Sequence, residues 1–366
     1  MGDAAGVALS EITAIGTERA LSFRLNRPAS LSFRVASKDS RIAARHTDGK
    51  PLLAKWRTVK AYRRERQSDG TFLNILRFVG TIWQVGDVGD ENTAFTRVTA
   101  FDPLQRLRKR LCRDASLGTA NVVFDSVEAA QIAKTLVERA NSVGATGLTT
   151  SGGTFEKTPE RTVEYRYKRM ADAFLELANA ANGFDLRLDY LDATDGVHAR
   201  ISCLSRRGTF RQHAVFGWGV APFNVSDIQN SEDGETAANE VTGLGATLSG
   251  ADQLSSTIQN ASSVGRIGLL EEVDSFSGIS SPSFLAALVG EDLSFRGEGR
   301  QEVSIVPKAG LAPQPWTHFD IGDTFPIYAG PDLRAGFSGI QRCYGFDLGV
   351  DDEGVERVSR IIASPE

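Results

Sequence analysis

Histidine and cysteine are scarce in this sequence, four and three among 366 residues. A zinc site takes three or four ligands and usually shows at least one close pair. His46, His198, His213 and His318 stand singly, with no H-x-E or H-x-x-x-H spacing, so no metal-binding residue is assigned. Cys112, Cys203 and Cys343 are far apart with no C-x-x-C pair, which argues against a disulfide framework and predicts three reduced, structural thiols. No apolar run approaches the ~18 residues of a membrane span, and the N-terminus reads neither as a signal peptide nor as a myristoylation site. The nucleophile elbow G-x-S-x-G, the P-loop and H-E-x-x-H are all missing. No catalytic and no cofactor-binding residue is assigned, and the chain is read as not an enzyme.

One stretch comes near a cofactor motif. In "VFGWGVAPFNV", Val215–Val225, Gly217 and Gly219 open like a dinucleotide-binding fingerprint. That fingerprint needs a third glycine and a helix N-terminus facing phosphate. Here the third position is Pro222, which removes a donor, and no helical period follows. The stretch reads as a strand ending in a turn.

What is present is an ordinary globular composition, 41% hydrophobic and 24% charged with a net charge of −5, long enough for more than one domain. Positive charge gathers at Lys60–Gln67 and Arg106–Arg113, but without interleaved aromatics these clusters read as a solvated face or subunit contact, not a nucleic-acid site. Trp56, Trp83, Trp218 and Trp316 are assigned to core or interface packing before a sugar platform. Glycan binding and a cryptic cell-wall hydrolase built on two of the 46 acids remain the alternative classes.

The first hundred residues alternate as strands, Leu21, Phe23 and Leu25, then Leu31, Phe33 and Val35. Gly80 reads as a bulge or bend. Asp102-Pro103 begins a short helix through Leu104, Leu107 and Leu111, with Asp102 as its cap. "SVEAAQIAKTLVERANSVG" predicts a helix capped by Ser126, carrying an apolar stripe from Ala129 to Ala140 and stopped at Gly144. Gly144–Pro159 is turn-rich and reads as an exposed loop or a linker. Met170, Ala173, Phe174 and Leu177 mark a second helix that ends at Gly183, and strands return near Phe184. A further helix is expected at Pro282–Val289, followed by strands with a hairpin turn at Asp351–Gly354.

"NRPASLSFRV", "LRFVGTIWQVG", "VTAFDPLQRLRKR", "FLELANAANGFDLRLD", "VFGWGVAPFNVSDIQNSEDGETAANEV", "WTHFDIGDTFPIY" and "QRCYGFDLGVDDEGVERV" follow one another along the chain. In this order they resemble the hub-type minor tail proteins of long-tailed bacteriophages, especially phages of actinobacteria. The resemblance implies a mainly β fold with α+β insertions and two small antiparallel barrel-like domains. The expected division is residues 1–110 as the first barrel, 111–183 as a helical insertion, 184–225 with 309–366 as the second barrel, and 225–308 as an inserted lateral domain. It further implies a homotrimer with pseudo-sixfold symmetry at the distal end of the tail tube. A distal tail protein or the tube would lie above, with tail-tip or fibre proteins below. DNA would meet the protein only in transit, and its location would be the virion tail tip, assembled in the host cytoplasm without membrane association. Gly217 and Gly219 would permit a close turn where the second barrel meets its insertion.

Overall fold

A computed structural model describes residues 19–37, 48–67, 69–89, 94–113, 121–180, 182–193, 196–235, 237–247, 253–276, 278–297, 300–331, 337–350 and 355–365. His46 and the turn expected at Asp351–Gly354 lie outside them. The fold is mainly β with α+β insertions.

The alternating N-terminal segments form β1 (Arg19–Arg24), β2 (Ser30–Ala36), β3 (Thr58–Arg66), β4 (Phe72–Gly89) and β5 (Ala94–Phe101). Leu31, Phe33 and Val35 are buried on one face of β2, the period-2 outcome their spacing predicts. At Gly80 a Cβ would lie 2.4 Å from the ring of Phe78 and 2.6 Å from Phe101 O, so close packing is what requires glycine there. The register shifts of β4 fall elsewhere, at Ala61/Tyr62 against β3 and at Ile82/Gln84 against β5.

Next come α1 (Leu104–Leu107), β6 (Val122–Glu128), α2 (Ala129–Val143), β7 (Leu148–Thr149), β8 (Glu160–Tyr165), α3 (Met170–Asn179), β9 (Asp185–Tyr190) and β10 (Ala199–Leu204). The stripe of α2 is buried as its spacing predicts, from Ala129 through Ile132, Leu136 and Val137 to Ala140. Its start differs from expectation. Ser126 belongs to β6, and the first helical amides bond instead to Pro159 O and Thr158 Oγ1.

The chain then runs through β11 (Phe216–Trp218), β12 (Val225–Asp233), β13 (Glu240–Thr247), β14 (Gln253–Gln259), α4 (Ala261–Ile267), β15 (Glu271–Ser275), α5 (Pro282–Arg296), β16 (Arg300–Pro307), β17 (Thr324–Ala329), β18 (Phe337–Val350) and β19 (Glu356–Pro365). The helix expected at Pro282–Val289 extends to Arg296, capped by Ser281. α4 was not foreseen.

Two β units repeat one topology. In space the first runs β1-β2-β5-β4-β3 and the second β12-β16-β19-β18-β17, the same order of first, second, fifth, fourth and third strand. β1 lies antiparallel on β18, from Arg19 opposite Val350 to Arg24 opposite Gly345, and fuses both units into one 11-stranded sheet over one apolar core. Neither unit closes into a barrel among the described residues: the path ends at β12 and β3, with β11 added parallel to β17.

The strand pairing redraws the boundaries expected at 183/184, 225 and 308. β9 and β10 pair with β7 away from the large sheet, and Leu186, Ile201 and Cys203 join the core under α2 and α3. β12 and β16 are the first two strands of the second unit, and the insertion between them is β13 to α5. Alternation identifies a strand but not its partner. The two inserted segments share the second core, where Glu164 N donates to Gly278 O and Arg161 lies 4.9 Å over the ring of Phe284.

Candidate assembly interface

β18 serves two neighbours along one side. Phe337–Arg342 pairs with β17 and Gly345–Val350 with β1, while β19 runs along the other side. The changeover is fixed by three backbone bonds of 2.8 Å: Cys343 N to Asp323 O, Gly322 N to Cys343 O, and Leu25 N to Tyr344 O. The register against β19 shifts at Cys343/Gly345. A Cβ on Gly345 would sit 2.4 Å from Phe23 O, so only glycine lets β1 approach.

Side chains lock this seam. Asp347 accepts from Ser22 Oγ at 2.5 Å and from both terminal nitrogens of Arg24 at 2.8 and 2.9 Å, the fork geometry that makes such pairs strong. Burial pushes the Asp347 carboxyl up, but the bonds from Arg24 and Ser22 outweigh it and hold it below the usual range. On the core face Trp316 stands edge-on to Phe23 and Phe346 at 5.5 and 5.4 Å. Arg77 and Arg63 lie 4.8 and 5.7 Å from its ring.

The first unit repeats two of these three bonds. Ile82 N donates to Arg57 O at 2.9 Å and Trp56 N to Ile82 O at 2.8 Å, and the register of β4 shifts just after Ile82. Trp56 and Gly322, the matching donors, both have left-handed backbone, φ +74° and +86°. Ile82 therefore corresponds to Cys343. On β18 the next stretch carries β1. On β4 the matching stretch, Val85–Gly89, carries no strand on that side among the described residues, and Val88 is 57% exposed. The outer side of β12, the counterpart of β1, is likewise free of a ladder partner among them.

A buried carboxylate ties the first β unit to the inserted segment that follows it. Asp102 accepts from Ala29 N at 2.9 Å, Leu104 N at 3.0 Å and Tyr190 OH at 3.4 Å. It links the residue before β2, the first residue of α1, and β9; the N-cap of α1 is Pro103, one residue after the expected Asp102. Burial pushes its carboxyl up to about 7. Nearby, a cleft of about 310 Å³ presents Arg24, Arg77, Arg187 and Arg207. Each of these four has an acid partner, Asp347, Glu65, Asp189 and Asp320 respectively, and Arg27 lines the cleft beside them.

The residues singled out by sequence scatter across this frame. Gly217 lies in β11 and Gly219 opens the turn to β12; Gly219 has φ +65° and a Cβ on Gly217 would meet Val220 O at 2.6 Å. Asn224 completes the turn, accepting from Gly217 N and donating to Val215 O. His198 is buried with Nε2 3.4 Å from Thr58 Oγ1, His213 lies beside Gln212, and His318 Nδ1 accepts from Gln314 N. All three cysteines are buried and free. Trp316 sits at the seam, Trp218 packs on the large core, and Trp56, 54% exposed, stands edge-on to Trp83 at 5.0 Å. In the basic clusters Lys60 pairs with Asp192, Arg63 with Glu356, and Arg106 donates to Thr81 Oγ1. The seam residues Ser22, Arg24 and Asp347 were missed, since nothing local marks a pair 323 residues apart.

No family model matches the chain, and no curated protein matches it by sequence. Solved structures share its fold. The 43 kDa tail protein of prophage MuSo2 from Shewanella oneidensis aligns with a TM-score of 0.58 at 13% identity, covering 95% of this chain and 93% of that one. The tail protein from Neisseria meningitidis MC58 aligns at 0.59 and 11% identity, over 96% and 95%. Prophage tail protein gp18 from Listeria monocytogenes EGD-e aligns at 0.52 and 11% identity, over 98% and 91%. The fold is that of phage tail proteins.

Proposed function

We propose that this chain is a structural hub protein of a bacteriophage tail. Three copies form a ring at the distal end of the tail tube and join the tube to the tail tip. The observation that carries this is the repeated β unit: a threefold ring meets a sixfold tube when each chain offers two similar faces, and one chain here holds two units of one strand order. The fold shared with prophage tail proteins supports the same reading. We divide the chain accordingly into two ring-forming units and two lateral insertions that share their own core.

The partners on this reading are the tube or a distal tail protein above and tip or fibre proteins below. DNA passes only in transit, and the protein resides in the virion after assembly in the host cytoplasm. A channel that releases DNA avoids net positive charge, because neutralised phosphates would hold the strand. The chain carries −5 and a trimer −15. The internal ion pairs of Lys60 and Arg63 support a peripheral place for that basic cluster.

Mass measurement and electron microscopy of the purified protein test the proposal. The expected particle is a ring of three 39.5 kDa chains. A monomer or a hexamer would overturn it.

A further inference from the structure

We infer that the joint between copies repeats the joint inside the chain: β12 of one copy adds antiparallel to Val85–Gly89 of β4 in the next. This rests on the ring reading above and specifies its contact. The argument is a chain of matched ladders. Ile82 faces Ala100 as Cys343 faces Ala363. Leu31 faces Ala100 as Val303 faces Ala363. Leu21 faces Leu31 as Asn230 faces Val303. Leu21 of β1 thus corresponds to Asn230 of β12.

The faces agree as well. Phe23, two residues from Leu21, is buried in the common core, and Ile228, two residues from Asn230, is buried in the same core. A strand slipped by one residue would turn Ile228 outward.

Inside the chain Ala20 faces Gly349 and Ser22 faces Asp347. Carried across, Gln229 faces Val88 and Ser231 faces Gly86 of the neighbouring copy. Among the described residues both stretches are edges of the sheet, and a sheet edge is a template for another strand. Gln84 stands where the seam has Gly345, so the contact begins at Val85 and not one residue earlier. Gly86 stands where the seam has Asp347, so the joint between copies lacks the Arg24–Asp347 pair and rests on its backbone ladder. The contact is heterologous and closes on itself, using β12 and β4 of every copy once.

Cysteine cross-linking of the full chain tests this. Gln229→Cys combined with Val88→Cys is expected to give disulfide-linked dimers and trimers on a denaturing, non-reducing gel. Ser231→Cys with Gly86→Cys gives a second pair; a Cβ on Gly86 meets nothing within 4 Å. Each single variant, and the out-of-register Asn230→Cys with Val88→Cys, is expected to lose the cross-link, because a one-residue shift turns the thiol to the other face. A protein that is trimeric by mass but fails to cross-link at both matched pairs overturns this contact and leaves the ring standing. Equal cross-linking of the shifted pair also overturns it. A monomeric mass overturns the ring reading and this inference with it.

Discussion

Ile82 and Cys343 each sit between the same two backbone bonds, accepting from Trp56 N and Gly322 N and donating to Arg57 O and Asp323 O, all at 2.8 to 2.9 Å. Tryptophan and glycine, arginine and aspartate share no side-chain chemistry, and Ile82 and Cys343 share only their burial in the core. What repeats is backbone geometry, down to the left-handed conformation of Trp56 and Gly322. One unit meets β1 at this changeover, and the other carries no strand there among the described residues.

Removing the seam's ion pair isolates its contribution. Asp347→Asn keeps the shape of the side chain but loses the charged fork to Arg24, at an expected cost of roughly 1.5–3 kcal/mol in urea unfolding at neutral pH. The native carboxyl is held below the ordinary range. Its contribution is therefore fully present above the unfolded pKa and lost as pH falls through the depressed native value. The variant and the wild type should converge in stability in strong acid, and a gap that persists there would refute the assignment.

Legibility followed locality. The stripe of α2 could be read because Ile132, Leu136 and Val137 recur at helical spacing. Its true start could not, because the amide of Ala130 is capped by Thr158, 28 residues away, and Ser126 imitates a cap from within β6. α4 was invisible because "ASSVGRI" is small and polar, with Asn260 accepting from Ser263 N as its only start signal. β9 and β10 were recognised as strands but placed in the wrong company. The seam, made by residues from the two ends of the sequence, had no local signature at all.

Asp102 predicts a pH dependence of the opposite sign. Its carboxyl titrates at about 7 in the folded protein against an ordinary 3.8, so folding favours the protonated form. Stability from this group is greatest below the unfolded pKa, declines as pH rises between the two values, and is fully lost above about 7. The shift is worth on the order of 4 kcal/mol at most. Urea midpoints measured from pH 4 to 9 for the wild type and Asp102→Asn should differ in slope within that window and run parallel above it. Parallel curves throughout would refute the assignment.

The thiols should be silent until the protein unfolds. Cys112, Cys203 and Cys343 are buried and free, and burial pushes the Cys112 thiol up to about 12 and the other two higher still. A thiolate-specific reagent should find almost none in the native protein and all three after denaturation without reductant. Rapid reaction of any one in the folded state would contradict the buried placement.

The last prediction sets two glycines of one strand against each other. A Cβ on Gly345 would stand 2.4 Å from Phe23 O and 2.6 Å from Arg24 Cδ, and the first of these is backbone that cannot swing aside. Gly345→Ala must push β1 off β18 or bend β18, straining the 2.8 Å bond from Leu25 N to Tyr344 O. The cost should be roughly 1–3 kcal/mol, the usual range for overpacking. Gly349 lies on the same strand opposite Ala20, and its added Cβ would come no closer than 4.0 Å to Arg19 O and Arg357 O. Gly349→Ala should therefore change stability by less than about 0.5 kcal/mol. Hydrogen exchange gives the more specific reading, because only Gly345→Ala should accelerate the amides of β1. Equal effects of the two substitutions would mean that the close approach at Gly345 does not fix the seam.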